Sequence, residues 1–521
     1  MRPWSHDCRL YELLSRHRRA DSYTQNPALP MWQGDAHDIS NPAEEQGFAY
    51  RNTERRRFMT AVETETEAGR RAPALAGERA HALRRAGKSS VGTIIAASMV
   101  GTTIEFYDFY AYGTAAANYF PRVFFSDATN PTVALLLSLV TFAVAFLARP
   151  VGSLIFGHFG DSIGRKATLV VSLMTMGVAT FLIGCLPGYD MWGVWAVLAL
   201  CVCRFVQGIG LGGEWSGAAL VATENAPANK RALYGSFPEL GAPIGFFLCN
   251  GTYVLLELFN DDAAMLAWGW RVPFLLSSLL VVVGLLVRVH MEETPAFRAA
   301  KQDQRVVKAP ALEVFRTSWR QVLQATFLVA VTYTLFYTLA TWSLAWATKS
   351  DAQGGGGLGF STKEYMTMLM VSVCVFALFI VLSCVFADRI GRRRVIIGSS
   401  VALLAFAALF PLLMNRAVVG VHNTAAAMLF LCLGFALMGI AFGPIGALLP
   451  ELFSVNVRYT GSGIGYNIAA IVGAAFVPSV ATWLSSHWGV GSVGLYLGVM
   501  ALCCLVAILT CRETKNVDYM Q

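Results

Sequence analysis

The chain has 521 residues, 55% of them hydrophobic and only 14% charged, with a mean hydropathy of +0.52. Water-soluble domains average about 25% charged residues, so an ordinary soluble protein is excluded for most of the length. The net charge of +7 sits mainly in short segments between apolar blocks, which points to membrane topology and away from nucleic acid.

Residues 1–89 are rich in Arg, Glu and Ala, with no apolar run and no secretory core segment. They are expected to form a disordered cytoplasmic extension, and Met59 is read as the natural start. Apolar blocks then follow near 91–119, 131–157, 167–187, 191–223, 232–257 and 271–290. A polar loop carries Glu292, Glu293, Arg298, Lys301, Arg305 and Lys308. Six more blocks lie near 321–347, 363–386, 395–414, 424–449, 461–485 and 490–511. Each is long enough to cross a bilayer. The fold class is therefore an all-α membrane protein with 12 transmembrane helices in two six-helix bundles. The bundles span 90–290 and 320–511, with a linker at 291–319 and a tail at 512–521. Lys and Arg concentrate in alternate loops, so both termini and the linker are expected in the cytoplasm.

Most of the eleven cysteines lie singly or in pairs inside apolar runs, and none forms a CxxC pair, so no disulfide framework or metal is expected. No cofactor is called for. Gly208, Gly210 and Gly213 match the dinucleotide fingerprint in spacing only: they lie inside a span with no strand before them, where close helix packing is the better reading.

Two loops repeat. Gly157-His-Phe-Gly-Asp161-Ser-Ile-Gly164-Arg165-Lys166 follows the second span, and Asp388-Arg-Ile-Gly391-Arg392 follows the eighth. Asp161 and Asp388 are 227 residues apart, as are Arg165 and Arg392, Glu224 and Glu451, and Arg231 and Arg458. A constant offset in separate loops implies two parallel halves, the plan of transporters that rock about a central site. These residues are expected to form a latch that holds one conformation. The small residues let helices approach, and the aspartates suit an arginine or a helix N-terminus.

The first loop resembles the signature of the major facilitator superfamily, over residues 90–515. Further segments resemble its metabolite:proton symporter family: Glu105-Phe-Tyr-Asp108, Ala148-Arg149-Pro150, Arg204-Phe-Val-Gln207-Gly208, Gly212-Gly213-Glu214, Trp270-Arg271-Val-Pro273, Glu293-Thr294-Pro295 and Pro450-Glu451. Members carry shikimate, 2-oxoglutarate, citrate, proline or betaine, and the likeness leans to the shikimate type. The resemblance implies proton-coupled symport of a small organic acid or zwitterion across the plasma or inner membrane. The expected partners are that solute, protons and lipid, and the expected state is a monomer.

Ionisable residues at bilayer depth are costly and mark tasks or partners. They cluster in the first half: Glu105, Asp108, Arg149, Arg204, Glu214 and Glu239. The core segments of the last six spans hold none. Glu105, Asp108 and Tyr112 share a helical face. Asp108 paired with Arg204 is the expected proton-coupling site, an arrangement the resemblance supports, with Glu105 as the alternative. Arg149 either takes a substrate carboxylate or braces Glu214 and helix ends. Tyr112, Gln207, Tyr333, Tyr337, Tyr466 and Asn467 are further candidate substrate contacts. A passive facilitator, a membrane enzyme and a non-transporting sensor are the competing classes. The second lacks an HExxH pattern or a nucleophile–base cluster, and the third a soluble signalling domain.

Overall fold

The computed structural model describes residues 91–128, 131–289, 310–349 and 357–517. The extension 1–89 with Met59, most of the linker and the last four residues lie outside them. The twelve spans are α1 (Val91–Asn118), α2 (Pro131–Ser162), α3 (Arg165–Cys185), α4 (Val194–Glu224), α5 (Arg231–Phe259), α6 (Val272–Val289), α7 (Trp319–Tyr337), α8 (Thr362–Ile390), α9 (Arg392–Met414), α10 (Thr424–Phe442), α11 (Arg458–Ala470) and α12 (Val490–Thr510). Three continue past a local irregularity. α7 runs through a π turn at Thr338–Trp342 into Ser343–Ala347, and α11 through one at Ile471–Ala475 into Val477–Trp488. α10 breaks at Gly443-Pro444 and resumes as Ile445–Glu451. Among the described residues, eleven helices are long and apolar enough to cross a membrane. α1 matches them at 28 residues but carries Glu105, Asp108 and several hydroxyls.

The 227-residue repeat is visible in three dimensions. α3 and α9 begin at Arg165 and Arg392, and α5 and α11 at Arg231 and Arg458. Within the first half α1 packs on α5, α2 on α4 and α3 on α6; in the second, α7 on α11, α8 on α10 and α9 on α12. The halves meet reciprocally, α2 against α11 and α5 against α8. A helix within the expected linker, Pro310–Thr317, packs on α2 and α11. Leu136, Val140, Leu147, Leu279 and Leu495 lie exposed on the outside, a surface only hydrocarbon solvates well. α7 is buried along nearly its whole length and forms part of the central wall.

Glycines set the closest approaches. Cβ atoms added at Gly208, Gly210 or Gly213 would meet Ala145, Met176 or Phe156 at 2.8 Å or less, so this string serves packing, as its setting in a span predicts. Gly235 of α5 faces Gly446 across the halves, and a Cβ on Gly446 would collide with the Gly235 carbonyl. Gly446→Ala is expected to cost about 1–3 kcal/mol by overpacking, read as a lowered melting temperature in detergent. An unchanged melting temperature would show that the contact is dispensable.

Candidate functional site

A small cavity lies midway along the bundle, between the halves. Aromatic rings from α1, α2, α7, α8 and α10 make most of its wall: Phe106, Phe109, Phe146, Phe336, Phe376 and Phe442. Tyr333 and Tyr337 of α7 and Tyr466 of α11 complete the lining. Tyr337 stands one residue before the π turn of α7, an irregularity the sequence does not announce.

The charged groups lining the cavity are Glu105 and Arg149, both from the first half. Arg149 Nη2 donates to Glu105 Oε1 at 2.8 Å, and both side chains are almost completely buried. The other edge of the guanidinium reaches into the second half: Nε donates to Asn467 Oδ1 at 2.8 Å. The Asn467 amide donates in turn to the carbonyls of Gly463 at 2.9 Å and Gly212 at 3.0 Å. Glu105 Oε2 has no hydrogen-bond partner among the described residues. Arg149 is thus held between a carboxylate of α1 and an amide of α11, with the Tyr466 ring 5.8 Å away.

The ion pair expected between Asp108 and Arg204 is not formed. Asp108 Oδ2 accepts from Thr180 Oγ1 at 2.8 Å. Thr180 Oγ1 accepts from Gln207 Nε2 at 2.8 Å, and Gln207 Oε1 accepts from Arg204 Nη1 at 2.5 Å. The physical reason is α3, which places Thr180 in this line. Arg204 instead lies over the Tyr112 ring at 3.9 Å, with Phe142 at 5.2 Å and Phe109 at 5.6 Å, a cation–π setting. Tyr112 donates to Thr141 at 2.6 Å. Tyr112 and Gln207 therefore brace Arg204 and do not line the cavity, and Asn467 orients Arg149 from behind the wall. Arg149, Tyr333, Tyr337 and Tyr466 do line it.

Two more buried acids lie nearby. Glu214 of α4 is forked by Arg288 of α6, with Arg288 Nη1 to Glu214 Oε2 at 2.9 Å, so Arg149 does not brace it. Gly101 leaves room for that pair, since a Cβ there would strike the guanidinium. Glu239 of α5 accepts from Trp215 Nε1 at 3.2 Å.

One end of the bundle carries both repeated loops and is called here the basic end. Asp161, at the foot of α2, accepts from Thr460 N at 2.9 Å, Thr460 Oγ1 at 2.8 Å and Tyr459 N at 3.3 Å. Those donors open α11 of the other half. Asp388, at the foot of α8, accepts from Ala232 N at 3.0 Å and Leu233 N at 2.9 Å, which open α5. Each aspartate therefore caps a helix belonging to the opposite half, where the dipole favours an anion. Arg165 and Arg392 pair with their own half's aspartate at 3.1 and 3.2 Å. Glu224 lies 3.6 Å from Arg165 and 3.7 Å from Arg458 of the other half, and Glu451 lies 3.1 Å from Arg392. Arg231 donates to Val517 O at 2.5 Å, and Lys166 to Val289 O at 2.8 Å. Gly157 passes Thr460 so closely that an added Cβ would sit 2.8 Å from its Cα. Gly164 and Gly391 adopt φ of 141° and 103°, a region side chains rarely enter. At the opposite end, outside the spans, Arg122 forks onto Asp262 at 2.6 and 3.0 Å, and this bonding holds the Asp262 carboxyl below its usual range.

The residue pattern has relatives. The family model "Sugar (and other) transporter" matches residues 93–344 and 356–521. An Escherichia coli inner membrane metabolite transport protein, YhjE, is 49% identical over 82% of this chain and 96% of its own. The E. coli shikimate transporter is 34% identical over 83% and 95%, and the E. coli proline/betaine transporter 33% identical over 81% and 83%. A solved proton:xylose symporter, XylE, superposes with a TM-score of 0.65 at 17% identity, over 82% of this chain and 98% of that one. That likeness shows the major facilitator fold. The chain belongs to the sugar (and other) transporter family: it is a multi-pass membrane transporter of the major facilitator fold and not an enzyme.

Proposed function

We propose that the protein is a proton-coupled symporter of a small organic acid or zwitterion, working by alternating access. It sits in the inner or plasma membrane with the basic end and both termini in the cytoplasm. The printed functions of the relatives support this reading: metabolite, shikimate and proline/betaine transport, and proton symport in the xylose carrier. The orientation rests on the excess of Lys and Arg at the basic end. The reciprocal caps that close this end support reading the conformation as shut toward the cytoplasm.

The single observation that carries the mechanism is the buried Glu105–Arg149 pair on the cavity wall. One guanidinium edge cannot serve two carboxylates at once. When Glu105 takes a proton, Arg149 loses its counterion and becomes a bidentate site for a substrate carboxylate. A substrate anion without that proton would leave two negative charges on one cation in a low-dielectric cavity, which is costly. Proton and anion therefore bind and leave together, which is coupling. Tyr333, Tyr337 and Tyr466 offer hydroxyls to the rest of the solute. Asp108, joined to Arg204 through Thr180 and Gln207, is the alternative proton site.

Uptake into proteoliposomes with an imposed proton gradient tests this. Glu105→Gln is expected to lose uphill accumulation while keeping gradient-independent exchange. Asp108→Asn with the same phenotype, and Glu105→Gln without it, would move the proton site to Asp108. Wild-type uptake unaffected by collapsing the pH gradient and membrane potential would leave a passive facilitator.

A further inference from the structure

Glu239 is fully buried in α5, its Oε2 has no partner among the described residues, and the Trp215 indole supplies its hydrogen bond. The titratable groups around it are Glu105 from α1, Tyr333 from α7, Cys384 from α8 and Tyr466 from α11. None is a cation. Trp215 of α4 contributes an indole, and α10 contributes Gly446, where a Cβ would lie 3.1 Å from Glu239 Oε1. An ionised carboxylate in such a place would be an uncompensated buried charge. The other deep acids differ: Glu105 and Glu214 each have an arginine, and Asp108 is linked to Arg204 by hydrogen bonds through Thr180 and Gln207.

The position of Glu239 decides what it does. It lies eight residues into α5 from the basic end, about 12 Å at 1.5 Å per residue. Below it, Gly235 and Gly446 close the seam between the halves. Above it, Trp215 is stacked on Tyr466 at 3.8 Å and 4°, and Tyr466 is part of the cavity wall while Trp215 is not. The carboxyl is therefore sealed from the cavity by a ring stack contributed by both halves, and from the basic end by a glycine seam. In an alternating-access cycle this seam would have to part for the basic end to open.

We propose that Glu239 is a proton-binding site that fills when the basic end closes and empties when it opens, exchanging its proton with the basic-end compartment on both occasions. This rests on the alternating-access reading above. On opening, the O–H bond at the Glu239 carboxyl breaks and the proton passes to water entering the seam; on closing, a proton from that water returns. Because the proton leaves and returns on the same side, the site adds nothing to the number of protons carried across. It makes the conformational equilibrium sensitive to pH on one side. The closed state binds one more proton, so acidification favours it and alkalinisation disfavours it, by up to about tenfold per pH unit for one group.

The test uses spin labels at Ile163→Cys and Ile390→Cys, exposed positions at the basic ends of the two halves, with the native cysteines replaced and the protein in nanodiscs. Distance distributions are recorded by pulsed electron resonance across a pH series. The closed population should grow as pH falls. Glu239→Gln, which keeps an acceptor for Trp215, should stay closed at every pH, and Glu239→Asp should keep the wild-type response. If the glutamine variant fails to fold, Glu239→Met carries the same expectation. A glutamine or methionine variant with the wild-type pH response overturns the inference. So does one whose uptake no longer depends on the proton gradient, which would make Glu239 a coupling site reached from both sides. The symport reading is judged separately, by wild-type uptake and by Glu105→Gln.

Discussion

Arg149→Met is expected to abolish transport and to cost about 3–5 kcal/mol of stability, the range for breaking one partner out of a buried ion pair. The substitution strands Glu105, whose Oε2 already has no partner among the described residues, and frees Asn467 Oδ1. Adding Glu105→Gln removes the stranded charge. The double variant should therefore regain most of the lost stability and none of the transport. Melting temperatures in detergent and uptake in vesicles read the two properties separately, and the double-mutant cycle isolates the coupling between the side chains. A single variant as stable as the double would show that the two do not depend on one another. Arg149→Lys keeps the charge but not the planar fork. It should fold and bind solute weakly, because it cannot hold Asn467 and a carboxylate with two fixed edges.

The second large effect is expected at the caps. Asp161→Asn and Asp388→Asn each remove an anion from a helix start that it completes across the halves. Asn still offers a cap oxygen, so the loss is the charge–dipole attraction, worth up to about 2 kcal/mol in a buried setting. Near 2 kcal/mol, the closed state would lose roughly 30-fold against the state open at the basic end. Asp161 accepts from three donors and Asp388 from two, so Asp161→Asn should be the more severe. Both changes together should add, since the two caps share no partner. Labels across the basic end report the shift as a longer distance, and uptake should fall with it. If neither variant changes the distance distribution, the aspartates are topological charges and the latch lies elsewhere.

Much of the fold was legible because hydropathy blocks and helices in lipid obey the same length rule. The predicted block at 395–414 corresponds to Arg392–Met414, and that at 490–511 to Val490–Thr510. The 227-residue offset found the residues of the basic-end network, but not what the aspartates hold. Their partners are backbone N–H groups at Tyr459, Thr460, Ala232 and Leu233, which leave no trace in side-chain identity. The site was harder still. Glu105 and Asp108 are three residues apart, so they share a face yet differ by about 60° around the axis. That turn sends one toward Arg149 of α2 and the other toward Thr180 of α3, a choice only the packing makes. The phenylalanines of the cavity wall carried no signal either, since rings at helical spacing fill cores as readily as cavities. The π turns beside Tyr337 and after Ala470 were equally silent.

The exchange of caps has a consequence for how such a molecule comes to exist. A lone six-helix unit would have a bare positive pole at the start of its fifth helix and an aspartate with no amides to receive. Two copies of one unit remedy each other's defect, because donor and acceptor recur at the same interval. Joining them into one chain then fixes an arrangement already complete between strangers, and a mismatched half would leave an unmet carboxylate and an unmet helix pole.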